Sequence, residues 1–273
     1  MLEDISASDK TTVAVCFPDR GTVPAPKADV IFLRERSLAM LKNDLMVRNP
    51  LRLLQGDRDE ILAPGQFGAV LARPGVGKTA LMVQLALDTL LRGKNVLHIS
   101  LKEPIGKVTL WYKQVFKLLA SEYNEPRADQ LWETILPHRF IMTFKVEGFS
   151  VPKLSERLTD LTAQSIFAPD VMLIDGLPFD AQMGPTLEEL KNLASSLQVS
   201  VWFTITTHRE DKPDPGGLPP QFARIQDSFA VALALTPSKD TIEVDILKGD
   251  CKGKPALVLD PRTLLIATGR PRA

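Results

Sequence analysis

The chain has few cysteines, no excess charge of either sign and no long apolar run. Its two cysteines, Cys16 and Cys251, lack the spacing of a metal-binding pair and cannot build a disulfide framework. They read as ordinary thiols in a reducing compartment. Lysine and arginine number 33 and aspartate and glutamate 33, a formal net charge of +0. An obligate nucleic-acid binder often carries a clear basic excess, so any contact with DNA has to be local. No apolar run reaches about 18 residues, which argues against a membrane span. The opening MLEDISASDK is polar and acidic rather than basic and then apolar, so it does not read as a secretory signal. A cytoplasmic setting without membrane partners is expected.

Proline is the residue in excess, at 21 of 273, and it gathers away from the periodic segments. Hydrophobic content of 44% and charged content of 24% are ordinary for a globular chain, so most of it should fold around one sizeable core. Residues 1 to about 30 mix Pro18, Pro24, Pro26 and Gly21 with scattered charge and hold no sustained period, the pattern of an extended arm or disordered lead. From Val30 to about Leu54 apolar residues recur at helical spacing, ending near Pro50. Residues 1–54 are therefore read as an arm with a short helix, and 55–273 as the main domain.

In that domain short apolar strands alternate with longer amphipathic helices. Phe67 to Leu71 precedes TALMVQLALDTLLR, and NVLHISL precedes PIGKVTLWYKQVFKLLA. RFIMTFKV, PKLSERLTDLTAQSI, VMLIDG, LEELKNLASSL and VSVWFTIT continue the alternation, which predicts a mostly parallel sheet flanked by helices. After DKPDPGGLPP the pattern changes to FAVALALT, TIEVDILKG, PALVLD and TLLIAT. Short strands without intervening helices predict a C-terminal antiparallel β meander at the sheet edge. The fold class is α/β.

Between the first strand and helix of the domain lies LARPGVGKTAL, which follows the template G-x-x-x-x-G-K-[ST] except that Ala72 replaces the first glycine. In such a loop glycines let backbone N–H groups converge on phosphate oxygens, the lysine sets a positive charge against the terminal phosphates, and the hydroxyl binds Mg²⁺. Arg73, Pro74, Gly75, Val76, Gly77, Lys78, Thr79 and Ala80 are thus the expected nucleotide-binding residues, with ATP and Mg²⁺ as ligands. A carboxylate for the metal belongs at the end of a neighbouring strand, where VMLID ends in Asp175. Thr79 and Asp175 are the expected metal-holding pair.

Hydrolysis also needs a group that acts on the attacking water. Glu103 is the candidate, although a glutamate before Pro104 equally suits the start of a helix. VSVWFTIT runs into Thr206, Thr207, His208 and Arg209 on the crevice side of an open sheet, where Thr207 or His208 would reach the γ-phosphate or its water. A surface loop histidine is the competing reading. Lys78, Glu103 and His208 form the expected catalytic set.

Together these residues resemble the RecA-like P-loop ATPase superfamily, most closely the core of the replicative (DnaB-like) helicases and their clock and repair ATPase relatives, over roughly Gln55 to Thr268. Ala72-Arg73-Pro74 matches the Ala-Arg-Pro with which the helicase loop often begins. The resemblance implies a strand ending in Ser-Leu-Glu whose glutamate activates water. Here Ser100 and Leu101 match, Lys102 stands in the place of the glutamate, and Glu103 lies one further. Thr207 to Glu210 is similar to the sensor segment of the repair and clock branches. Ring assembly is also implied, with a basic pair from the late meander entering a neighbour's site, and Lys248 and Lys252 stand near that place. Where such helicases contact DNA this chain has REDKPDPGGLPPQFAR, which is proline-rich and not basic. A separate N-terminal helical domain like theirs is not read either, so a processive helicase is not expected.

The expectation is a Mg-dependent ATP-binding protein and weak ATPase whose nucleotide state controls assembly, as a homo-oligomer, or a protein partner. A DNA-linked helicase or recombination accessory ATPase and a non-hydrolysing nucleotide-binding scaffold are the alternatives.

Overall fold

The computed structural model describes residues 28–269, except 57, 59, 180–182, 209, 212–213 and 250–255. The chain divides into two compact units, Met1–Arg36 and Ser37–Ala273. The described part of the first is the opening of helix α1 (Ala28–Arg48). The second unit takes in the remainder of α1 and a 3-10 turn at Pro50–Leu54, whose Leu51 and Leu54 are fully buried.

Strand and helix then alternate: β1 (Phe67–Ala72), α2 (Lys78–Leu91), β2 (Val96–Ser100), α3 (Ile105–Leu119), α4 (Glu125–Ile135), β3 (Arg139–Thr143), α5 (Val151–Ala163), β4 (Val171–Asp175), α6 (Met183–Leu197) and β5 (Ser200–Thr206). The one-turn α7 (Pro220–Ala223) precedes β6 (Val231–Pro237), β7 (Ile242–Lys248), β8 (Leu257–Leu259) and β9 (Ile266–Thr268). Among the described residues the strands form one nine-stranded sheet in the order β3-β2-β4-β5-β1-β6-β7-β8-β9. Pairing is parallel from β3 through β6 and antiparallel from there to β9. The expected meander thus starts one strand later than FAVALALT suggests, because β6 pairs parallel with β1. Among the described residues no helix is long and apolar enough to cross a membrane.

Helices on both faces explain why the central strands are apolar throughout rather than alternating with polar residues. Side chains leave a strand to opposite faces in turn, so Phe67, Ala69 and Leu71 enter one core while Val70 and Ala72 enter the other. α2 and α3 cover the Val70 face, and α5 and α6 cover the Phe67 face. α2 is buried on nearly every side, which is why it is written in Ala, Leu, Met and Val. α3 buries one stripe, Val108, Tyr112, Val115 and Phe116, at the spacing of a helix with one wet face.

Two contacts fix β1 and α2 where the site needs them. A β-carbon on Gly68 would lie 2.5 Å from Cε3 of Trp202, its register partner on β5, so only glycine lets the indole pass over β1. Gln84 on α2 is buried and uses its whole amide. Its Nε2 donates to the carbonyls of Ala80 and Leu264, at 3.1 and 2.8 Å, and its Oε1 accepts from the Ile266 amide at 2.8 Å. A buried amide satisfied this way joins the helix to the last hairpin.

Candidate functional site

The loop from Arg73 to Gly77 turns the chain from the end of β1 into α2. Gly75 and Gly77 hold φ of 78° and 112°, a region that penalises a β-carbon. No atom lies within 4 Å of a β-carbon built on Gly75, and the nearest to one on Gly77 is Leu264 Cδ2 at 3.4 Å, so conformation rather than space demands glycine at both. No side chain caps α2. Its first amides are left for an outside acceptor, and an anion suits the positive end of the helix dipole.

The first two residues of α2 carry the polar groups of the site. Lys78 Nζ folds back to donate to the carbonyls of Ala72 at 2.8 Å and Arg73 at 2.9 Å. Burial pulls its pKa down to about 8, with Asp175 opposing the shift and Lys102 adding to it. Thr79 Oγ1 donates to Asp175 Oδ2 at 2.9 Å. Thr204 Oγ1 donates to the other oxygen, Oδ1, at 2.7 Å and accepts from the Gly176 amide at 3.0 Å. A hydroxyl and a carboxylate are hard oxygen donors that suit Mg²⁺, which keeps several waters and needs few protein ligands. Consistent with such a sparse site, no group of three or more His, Cys, Asp or Glu among the described residues would hold a metal alone.

Beyond β2 the chain places Lys102 and Glu103 differently. Ser100 is the register partner of Asp175, and the Leu101 amide donates to the Asp175 carbonyl at 2.9 Å. Exposed Lys102 then runs its aliphatic stem along Gly176, where a β-carbon would meet Lys102 Cγ at 2.9 Å. Glu103 turns into the next helix instead: Ser100 Oγ accepts from its amide at 3.0 Å and donates to its carbonyl at 2.8 Å. Its carboxylate pairs with Lys107 Nζ at 2.8 Å, in the first turn of α3, rather than with Lys78 or Thr79. This geometry is that of the helix-start reading.

On the other side of the loop, the Thr207 amide donates to the Ala72 carbonyl at 3.1 Å, fastening the end of β5 to the end of β1. Arg73, Thr207, His208 and Asp211 line a cavity of about 290 Å³. His208 is exposed, and its backbone amide is held by the Asp211 carboxylate at 2.5 Å. Lys248 Nζ donates to the Gln226 carbonyl at 2.7 Å, and its register partner Ala232 lies at the N-terminal end of β6, away from Ala72. Lys252 and Arg209 lie outside the described residues. Sequence reasoning missed Thr204, whose only signal was a hydroxyl in an otherwise apolar strand, and Leu264, which packs over Gly77 from the final hairpin.

No protein-family profile and no curated protein sequence matches the chain. Solved structures do share its fold. Among them is the ATPase domain of a DnaB-like helicase, which is 18% identical over 77% of this chain and 86% of that one, with a TM-score of 0.56. At that identity the likeness establishes the fold, a RecA-like α/β domain with a mostly parallel sheet and antiparallel C-terminal strands.

Proposed function

We propose that the chain binds ATP with Mg²⁺ in the crevice at the carboxyl ends of β1, β4 and β5, hydrolyses it slowly, and uses nucleotide state to control its own assembly or a protein partner. The observation that carries this reading is the meeting of Lys78, Thr79 and Asp175 at the N-terminus of α2, behind a loop held open by two left-handed glycines. The likeness to an ATPase domain supports it.

In this reading the amides of Gly75 to Ala80 and the Lys78 ammonium receive the phosphates, with Arg73, Pro74 and Val76 shaping the loop. Lys78 exchanges two carbonyl partners for phosphate oxygens, which is favourable because a charge-assisted pair is stronger than a neutral one. Magnesium supplies positive charge against the phosphate oxygens, with Thr79 and Asp175 as its protein contacts. Slow turnover follows from the carboxylates. Asp175 is engaged by Thr79 and Thr204, and Glu103 by Lys107, so Glu103 reaches water only by giving up that pair. His208 on the cavity wall is the remaining group for orienting water. Lys248 serves a neighbouring subunit only by leaving the Gln226 carbonyl. Lys252 belongs to the same assembly reading, as does a cytoplasmic setting.

Titration calorimetry with ATP, with and without Mg²⁺, combined with a phosphate-release assay with and without single-stranded DNA, tests the proposal. Saturable Mg-dependent binding, lost in Lys78→Ala, and slow release indifferent to DNA are expected. Release stimulated by single-stranded DNA would replace this reading with a DNA-linked motor. Absence of binding would remove it altogether.

A further inference from the structure

Two lysines from different elements reach the same carboxylate end of β4. Lys78 opens α2, and Lys102, just beyond β2, lies along Gly176, the residue after Asp175. Their charges feel each other, since Lys102 disfavours the charged form of Lys78. Asp175 is the acidic group that offsets Lys78, and its two oxygens already accept from Thr79 and Thr204. The adjacent Glu103 is taken by Lys107, and among the described residues no carboxylate forms an ion pair with Lys102. The crevice therefore carries more positive charge than its own residues neutralise. An anion with several charges spread over its length resolves that imbalance.

We propose that Lys102 is a second phosphate-binding cation that contacts the terminal phosphate of a bound triphosphate, so that the site prefers triphosphate to diphosphate and retains it uncut. The inference rests on the reading of the crevice as a nucleotide site. Lys78, at the root of the loop, contacts phosphates present in both nucleotides, whereas Lys102, across Gly176, gains its partner only when the terminal phosphate is there. An ammonium donates three hydrogen bonds and accepts none, so it stabilises the phosphate but takes no proton from water. Tight binding of the ground state without such a base lowers the energy of the bound triphosphate and does not speed its cleavage.

The test is competition. A fluorescent ATP analogue bound to the full chain with Mg²⁺ is displaced by a non-hydrolysable triphosphate or by ADP, for wild type, Lys102→Met and Lys78→Met. Wild type is expected to prefer the triphosphate. Lys102→Met should weaken triphosphate binding about tenfold and leave ADP within about twofold, the loss of one charge-assisted contact. Lys78→Met should weaken both. A triphosphate preference unchanged in Lys102→Met overturns the inference and leaves the nucleotide site standing. Failure of wild type to bind the analogue or either nucleotide overturns both. Because Lys102 is exposed, Lys102→Met should melt with wild type, and a lower melting temperature would contradict its placement outside the core.

Discussion

Thr79 Oγ1 donates to Asp175 Oδ2 over 2.9 Å, joining the first turn of α2 to the end of β4 across 96 positions of sequence. The pair brings together the two oxygen types that Mg²⁺ prefers. Asp175→Ala should therefore uncouple nucleotide affinity from Mg²⁺ while leaving the loop amides and Lys78 in place. Calorimetry with and without the metal reads this directly. A variant as sensitive to Mg²⁺ as wild type would show that Asp175 is a strand-end structural group.

Lys102→Glu tests the same crevice from the side of chemistry. It sets a carboxylate where the resemblance to RecA-like ATPases implies one that activates water, next to Gly176 and away from the Glu103–Lys107 pair. At saturating ATP, phosphate release should rise at least about tenfold, the lower range of what a positioned base contributes. Release that stays at the wild-type level, with nucleotide bound, would mean that Lys102 is not what limits turnover.

Gly68→Ala drives a methyl to 2.5 Å from the Trp202 ring in the middle of the sheet. Overpacking of that kind costs about 1–3 kcal/mol, which a shift in denaturant midpoint reads. Gly68→Ala combined with Trp202→Leu should lose less than the two single changes added together, since the second removes the clash made by the first. Additive losses would contradict the contact.

Acid should weaken the fold through His98. The ring is fully buried on β2, with Nδ1 3.0 Å from the Tyr112 hydroxyl. Burial holds its pKa below the ordinary 6.5, Asp175 opposes that shift, and Arg139 adds to it. The ring is thus neutral in the folded chain, while the unfolded chain takes up a proton below 6.5. This contribution to stability is complete above that pH and is lost as pH falls beneath it. His98→Gln, which keeps a polar partner for Tyr112, should flatten the fall in melting temperature between neutral and mildly acidic buffer. An equally steep fall in the variant would place the acid-sensitive group elsewhere.

The periodic parts of the chain were legible because local pattern and burial agree there. Strands covered on both faces read as apolar runs, and α3 and α5 read as one-sided helices. α4 escaped notice even though Asn124 and Pro126 mark its start, because its polar residues left only Ala128, Leu131 and Ile135 buried. The loop residues were legible for the opposite reason: glycines, lysine and threonine at fixed spacing leave little freedom for another use. Lys102 and Glu103 were not decidable from sequence. Which of two adjacent side chains faces a crevice depends on how the chain leaves β2, and here the Ser100 hydroxyl turns Glu103 into α3. Thr204 was hidden by being one hydroxyl among buried apolar neighbours, and its value appears only when β4 and β5 lie side by side.

The melting temperature of the full chain with and without Mg·ATP tests the central claim most directly. A ligand at about 100 times its dissociation constant stabilises the native state by about 2.7 kcal/mol, a rise of roughly 5–10 °C for a domain of this size. Wild type should show that rise and Lys78→Ala should not. A wild-type melting temperature unmoved by Mg·ATP would contradict nucleotide binding at this loop.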